Sequence, residues 1–284
     1  MLSWQHQAHT VSIWNTSGRP KNVAFTGQAE QLEVLAAHRR GESDLVCQGG
    51  KWFLIATCDI DEAAPNTHPA GFLGVDLGIV NIAATSDGER HWGRRINRKR
   101  EQDRKLRRKL QRKNTKSAKR RAKRHAGKEA RRAKDINHKI SKRIVAEAGG
   151  HLPARAQPRA WGSTGRGIAL ETLTGIRERA RLRKPQRVKV HSWPFAQLGS
   201  FIAYKAKRAG VPVVHVDSAY TSQECSKCHH AARGNRPSQA VFSCRVCGFV
   251  DHADHSASHN IARRGWYVWV CGAQSTVPEL TLIT

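Results

Sequence analysis

Acidic residues are scarce in this chain: 22 Asp and Glu stand against 50 Lys and Arg in 284 residues, a formal charge of +28 with neutral His. A surplus that large repels itself in a compact monomer. The shortage therefore argues against an acidic enzyme of small molecules and for a polyanionic partner, nucleic acid first. Long apolar runs are missing too. No stretch approaches the ~20 residues of a membrane span, and Met1 to Thr10 has no basic leader of the secretory kind. Both absences point to the cytoplasm and away from a membrane. An even cysteine count is also lacking: the seven, at 47, 58, 225, 228, 244, 247 and 271, fit no disulfide framework.

Four of those cysteines form two tight pairs. Cys225-Ser-Lys-Cys228 and Cys244-Arg-Val-Cys247 are each C-x2-C, with fifteen residues between them, a spacing at which two turns present four thiolates tetrahedrally to Zn2+. Four sulfur ligands leave no open position for substrate, so the metal is expected to hold the fold rather than to react. Cys47, Cys58 and Cys271 stand alone and read as packing residues. His229 and His230 are second choices as ligands.

The positive charge is concentrated. Arg94 to Arg143 holds 25 Lys or Arg and 4 acids, a net +21 in 50 residues. The segment has no Pro and is rich in good helix formers, so it reads as a long helix, with a disordered basic arm as the alternative. Ile136, Ile140 and Ile144 recur at helical spacing ahead of Gly149-Gly150, which predicts a docked face and a stop. Before this segment, FLGVDLGIVNIAATSDG reads as strand, turn and strand with a second turn at Asp87-Gly88. The first 70 residues, with short runs such as Lys51 to Cys58, read as a small β unit. After it, Gly149 to Gly167 reads as a loop and Ile168-Ala169-Leu170 as a strand running into Glu171. Ser192 to Arg208 reads as a helix with Ser192 as cap and Pro194 in its first turn, stopped by Gly210. Val211 to Val216 reads as a buried strand. The order predicts an α/β fold, a mixed sheet covered by helices.

Three acids end apolar elements, where a sheet would display them along one edge: Asp76 in GVDLG, Glu171 in IALETL and Asp254 in DHADHSASHNIA. Clustered carboxylates are what hard cations such as Mg2+ require. Each residue alone reads more readily as a turn former or helix cap.

Together, GVDLGIVNIAATSDG, ALETLTGIRER, HSWPFAQLGSFIAYKAKRAGVPVVHVDSAYTSQECSKC and NRPSQAVFSCRVCGFVDHADHSASHNIARRG closely resemble the C-terminal half of the TnpB (OrfB-type) transposon proteins, from about Phe72 to Gly265. These are RNA-guided nucleases related to type V CRISPR effectors. The resemblance implies a RuvC-like nuclease of ribonuclease H topology interrupted by a four-cysteine zinc ribbon. It implies that Asp76, Glu171 and Asp254 are the catalytic, Mg2+-binding acids. Asp254 takes the third place because it stands seven residues before Ile261 in the D-x-N-A-x-x-N-I pattern; Asp251 is the rival. Structural Zn2+, catalytic Mg2+, DNA and a guide RNA are the implied cofactors and partners, with Arg233 and Arg236 as candidate phosphate contacts.

The implied division is a remnant of a wedge-like β domain at 1–70 and a nuclease core at 71–221, which includes the basic segment 94–148. The zinc ribbon takes 222–250, the last RuvC-like motif 251–265 and a tail 266–284, whose apolar run could be a strand. The sequence departs from the family pattern at Ser256, where Asn is usual, at His229, where Gly is common, and in a long 149–167 connection. Only 75 residues precede Asp76, so an N-terminally shortened chain is expected.

The implied activity is metal-dependent, RNA-guided cleavage of DNA by a two-metal mechanism. The alternatives are an inactive nucleic-acid-binding remnant of the same family and an actin-like ATPase, whose phosphate hairpin also has the form G-x-D-x-G.

Overall fold

The computed structural model describes residues 2–150, 165–172 and 194–272. The proposed cap Ser192, most of the 149–167 connection and the last twelve residues lie outside them. The chain divides into two compact units after Glu62.

In the first unit, β1 (Leu2–Gln5), β2 (Thr10–Ile13) and β3 (Val23–Ala24) make an antiparallel sheet in that order. Helix α1 (Ala29–His38) leads into β4 (Arg39–Gln48) and β5 (Lys51–Cys58), an antiparallel ribbon. Gly49 and Gly50 close that ribbon with φ of 63° and 76°, the left-handed pair a two-residue hairpin needs. The β reading of this region overlooked α1, whose AEQLEVLAAH is made mostly of good helix formers. The cysteines read as packing residues do not pack as expected: Cys47 and Cys271 are exposed and Cys58 is half-buried.

The second unit is built on a five-stranded sheet in the order β10-β9-β6-β7-β8. Strands β6 (Phe72–Asp76), β7 (Asn81–Thr85) and β8 (Arg90–Trp92) form an antiparallel meander. Strand β9 (Gly167–Glu171) lies parallel to β6, and β10 (Val213–Val216) parallel to β9. Alternation along β6 and β9 splits the core in two. Leu73, Val75, Ile168 and Leu170 face α3 (Lys116–Ala148) and α4 (Phe195–Arg208) through Ile140, Ile144, Leu198 and Ile202. Phe72 and Ala169 face the other way, toward Ile261 of α5 (Ala253–Val270). Each buried Leu, Ile or Phe of these layers stabilises the fold by roughly 1.5–3 kcal/mol. Antiparallel strands followed by parallel ones, with helices on both faces, make the ribonuclease H arrangement of a RuvC-like domain.

The basic segment is two helices rather than one: α2 (Arg94–Lys113) and α3 are broken at Asn114 and Thr115. Asn114 takes the left-handed conformation at φ 47°, and Thr115 Oγ1 caps α3 by accepting from the Ala118 N–H at 3.2 Å. The two helices are tied by the few acids available. Asp103, 3% exposed, accepts from Arg132 at 2.8 Å and lies 3.4 Å from His125 and 3.5 Å from Lys99. Glu129 pairs with Arg107 and sits 3.3 Å from His125. Donor atoms of Asp103, His125 and Glu129 lie within 4.8 Å of one another, but the carboxylates are already matched by guanidinium groups, as in a charge network.

Helix α4 starts at Phe195 with Pro194 at the capping position, not inside the first turn. The apolar run from Trp266 is no strand; up to Val270 it forms the last turns of α5. Between β10 and α5 lies the cysteine segment, with its own small hairpin of β11 (Val241–Ser243) and β12 (Val250–His252). Among the described residues no helix is long and apolar enough to cross a membrane.

Candidate active site and four-cysteine centre

Register alone brings the first two acids together. Val75 of β6 is paired with Leu170 of β9 in parallel, so Asp76 and Glu171 leave neighbouring strands side by side. Both share the parity of Gly74 and Ala169 and so lie on the α5 face. Helix α5 comes very close to that face. A Cβ added to Gly74 would fall 1.9 Å from the Ser258 carbonyl oxygen, and one on Gly265 would fall 2.5 Å from Ala169 Cβ. This seat delivers Asp254, in the first turn of α5, to the same end of the sheet.

The electrostatics report the convergence. The Asp76 carboxyl is held well above the usual carboxylate range, first by burial and then by the negative charges of Glu171 and Asp254, with Arg236 opposing. Glu171 is raised as well, chiefly by burial, against the hydrogen bond from Thr221 and the charges of Arg264 and Arg236. Carboxylates crowded into a partly dry site resist ionisation unless a cation joins them. The three carboxylates, whose oxygens do not all lie within 4.8 Å of one another, offer the oxygen donors that a hard divalent ion takes.

Neutral donors orient the acids. Asn81 Nδ2 donates to Asp254 Oδ2 at 2.8 Å, and Thr221 Oγ1 donates to Glu171 Oε1 at 2.7 Å. Thr221 is fixed in turn by Asn260, whose Nδ2 donates to the carbonyls of Thr221 and Glu224 at 3.0 and 2.7 Å. Arg236 approaches Asp254 Oδ1 at 3.4 Å from the cysteine segment, while Arg233 opens a short 3-10 turn there. The rival Asp251 is engaged elsewhere: its Oδ2 lies 2.8 Å from His255 Nδ1 and its Oδ1 accepts from the His252 N–H. Asn81 and Thr221 escaped the sequence reading. The polar Asn81 interrupting the apolar IVNIAA run was the one visible signal; Thr221 gave none.

The four paired cysteines meet as well. Cys225 and Cys247 sulfurs are 3.6 Å apart, Cys228 and Cys244 sulfurs 3.5 Å, and all four lie within 4.8 Å. A tetrahedral ion with bonds of about 2.3 Å to sulfur separates its ligands by about 3.8 Å, so the set fits one such ion. Each pair sits in a tight turn, closed by the His229 N–H to Cys225 O at 3.0 Å and the Gly248 N–H to Cys244 O at 3.1 Å. His229 adopts φ 61° there, which accounts for Gly as the usual residue and shows that His occupies the same turn. His229 is turned to Glu224 at 3.6 Å instead of joining the sulfurs. Phe242, fully buried, and Phe249 pack beside Cys225 and Cys244. Backbone N–H groups, Cys247 first, push the Cys244 thiol down to about 6.

Comparison with known proteins agrees with this architecture. Residues 56–150 match the family model described as a probable transposase of the OrfB type, and residues 195–261 match that of the Cas12f1-like TNB domain. The CRISPR-associated endodeoxyribonuclease Cas12f1 of Syntrophomonas palmitatica is 30% identical over 216 residues, 70% of this chain and 40% of that protein. The putative RNA-guided DNA endonuclease InsQ of Escherichia coli is 27% identical over 231 residues, 78% of this chain and 56% of that protein. A TnpB-like protein of Methanocaldococcus jannaschii is 32% identical over 138 residues, 48% of this chain and 44% of that protein. The chain thus spans roughly half the length of these relatives. Among solved structures, the Cas12f1–sgRNA–target DNA complex aligns with a TM-score of 0.51 at 18% identity, over 77% of this chain and 55% of that one. By family model and by relatives the chain is thus similar to the TnpB-type and Cas12f1 proteins, and it shares the Cas12f1 fold.

Proposed function

We propose that this protein is a metal-dependent DNA endonuclease of the TnpB type, directed by RNA, and that Asp76, Glu171 and Asp254 are its catalytic acids. The observation that carries this reading is the placement of three carboxylates from three separate elements at one end of the sheet, where burial first, and then the charges of Glu171 and Asp254, hold the Asp76 carboxyl above its ordinary range. The names of the relatives, which include an RNA-guided DNA endonuclease and endodeoxyribonucleases, support it. So does the fold shared with a Cas12f1 complex that holds sgRNA and target DNA.

In this reading Asp76, Glu171 and Asp254 hold Mg2+. Two divalent ions bound there supply the activated water and the charge neutralisation that phosphodiester hydrolysis needs. Thr221 and Asn81 keep the carboxylates of Glu171 and Asp254 oriented, and Arg236 balances part of their charge. Cys225, Cys228, Cys244 and Cys247 hold a structural Zn2+. The helices α2 and α3, with most of the excess charge, grip sugar-phosphate backbone without reading sequence, which base pairing supplies. The corresponding division is a β unit, a nuclease core carrying the basic helices, a zinc ribbon and a final RuvC-like helix.

Purified protein with its co-purifying RNA, Mg2+ and plasmid carrying matched target sequence tests the reading. Cleavage that Asp76→Ala abolishes is the expected result. Equal nicking by wild type and variant would instead leave a nucleic-acid-binding protein without a nuclease centre.

A further inference from the structure

Asn81 stands one strand away from the acids, yet its side chain reaches Asp254 across 173 residues of sequence. The placement has a local cause. Strand β7 pairs with β8 through Asn81↔Trp92 and Ala83↔His91, and the register shifts between Asn81 and Ala83. An irregularity of this kind turns a side chain out of the regular alternation, a device common beside active sites. At 1% exposure the amide is buried, so both its polar ends need partners. Nδ2 has one in Asp254 Oδ2, while Oδ1 is buried with no hydrogen-bond partner among the described residues. A buried amide half satisfied in this way is unfavourable to the fold. That cost marks a position held for something other than packing.

The geometry points to Asn81 as a positioning residue of the proposed nuclease centre, which fixes the Asp254 carboxylate through Nδ2 and offers Oδ1 as an acceptor to a water or hydroxyl group entering the site. The inference rests on the reading of the three acids as a metal site. With Oδ2 tied to Asn81, the oxygen left for a cation is Oδ1, which Arg236 approaches at 3.4 Å. Glu171 is held by a hydroxyl donor in the same way. Groups that orient metal ligands typically change metal affinity or activity by about 10–100-fold when removed.

The test uses the full protein and two variants. Asn81→Leu keeps the branched shape and removes both polar ends. Asn81→Asp keeps the shape and an acceptor but replaces the donor with a second carboxylate oxygen beside Asp254. Binding of Mn2+ alone is titrated by electron paramagnetic resonance, and kcat and KM for target cleavage are measured with Mg2+. Asn81→Leu should bind Mn2+ about tenfold more weakly and lose about tenfold in kcat with KM for DNA unchanged. Asn81→Asp should bind Mn2+ at least as well as wild type yet still lose about tenfold in kcat. Wild-type Mn2+ affinity and kcat in a folded Asn81→Leu, or wild-type kcat in Asn81→Asp, would overturn the role of Asn81 alone. Wild-type protein that binds Mn2+ no better than Asp76→Ala would overturn the metal site itself, and the inference with it.

Discussion

Single side chains set the ionisation of this molecule. Glu147 of α3 is 5% exposed, accepts from Thr85 Oγ1 at 2.9 Å, and is raised to about 7, mainly by burial. A carboxyl raised on folding binds more protons in the folded state. Its contribution to stability is present below the unfolded value of about 4.3 and is lost as pH rises through about 7. Glu147→Gln should therefore raise the melting temperature at pH 8 and leave it little changed at pH 5, as thermal unfolding at the two pH values will check. Gly74 is the opposite kind of residue, essential for what it lacks. Gly74→Ala drives a methyl into the Ser258 carbonyl, where backbone cannot yield. A loss of roughly 1–3 kcal/mol or more is expected, together with loss of cleavage as α5 and Asp254 are pushed away. The sequence made Asp76 and Glu171 visible because each ends an apolar run, whereas Asp254 stood out only by its place seven residues before Ile261 in the D-x-N-A-x-x-N-I pattern. It did not reveal the need for glycine at 74 or the donors Asn81 and Thr221, since a contact across the sheet leaves no trace in local pattern.

At the scale of elements, period and punctuation carried most of the fold. The hairpin around Asp76, β9, β10 and the docked stripe of α3 all lay in runs whose apolar spacing matched their structure. The break between α2 and α3 did not, because Asn-Thr punctuates a helix only through the left-handed Asn and the capping Thr, and both residues also occur inside helices. Those helices are joined by acids the chain can ill spare. Asp103→Ala leaves Arg132, Lys99 and His125 facing one another and should loosen the pair by about 1–2 kcal/mol after allowance for the exposure of Arg132. Hydrogen exchange should report this as faster opening of 100–130 with β6 and β9 still protected. The cysteine segment is coupled to the acids through Thr221 and Arg236. Stripping the zinc with a strong chelator and then restoring Mg2+ in excess should therefore leave 222–250 unfolded and cleavage lost while the circular dichroism of the sheet and long helices persists. Global unfolding would show that the ribbon is part of the main core.

For the whole molecule, charge is the governing quantity. Affinity for nucleic acid should fall linearly in log-log form as salt rises from 50 to 200 mM, because neutralising several phosphates releases their counterions. A flat response by filter binding would contradict a backbone grip. Composition alone made this property legible. The three-dimensional placement of the charge was not legible, since it depends on which way α3 runs over the sheet.

Helix α3 ends beside the start of β9, where the Arg166 N–H donates to the Ala148 carbonyl at 2.9 Å, and Ile140 and Ile136 pack farther along toward Ile82 and Ile96. It therefore travels opposite to β6 and β9, and the seventeen residues from Lys116 to Arg132 precede the stretch that packs against the core, toward the rim where Asp76 and Glu171 emerge. At about 1.5 Å per residue that stretch is roughly 25 Å long, close to seven nucleotide steps at about 3.4 Å each. In the proposed function, the length of this cationic arm, rather than any recognition of bases, sets how far from the acids a clasped strand is anchored.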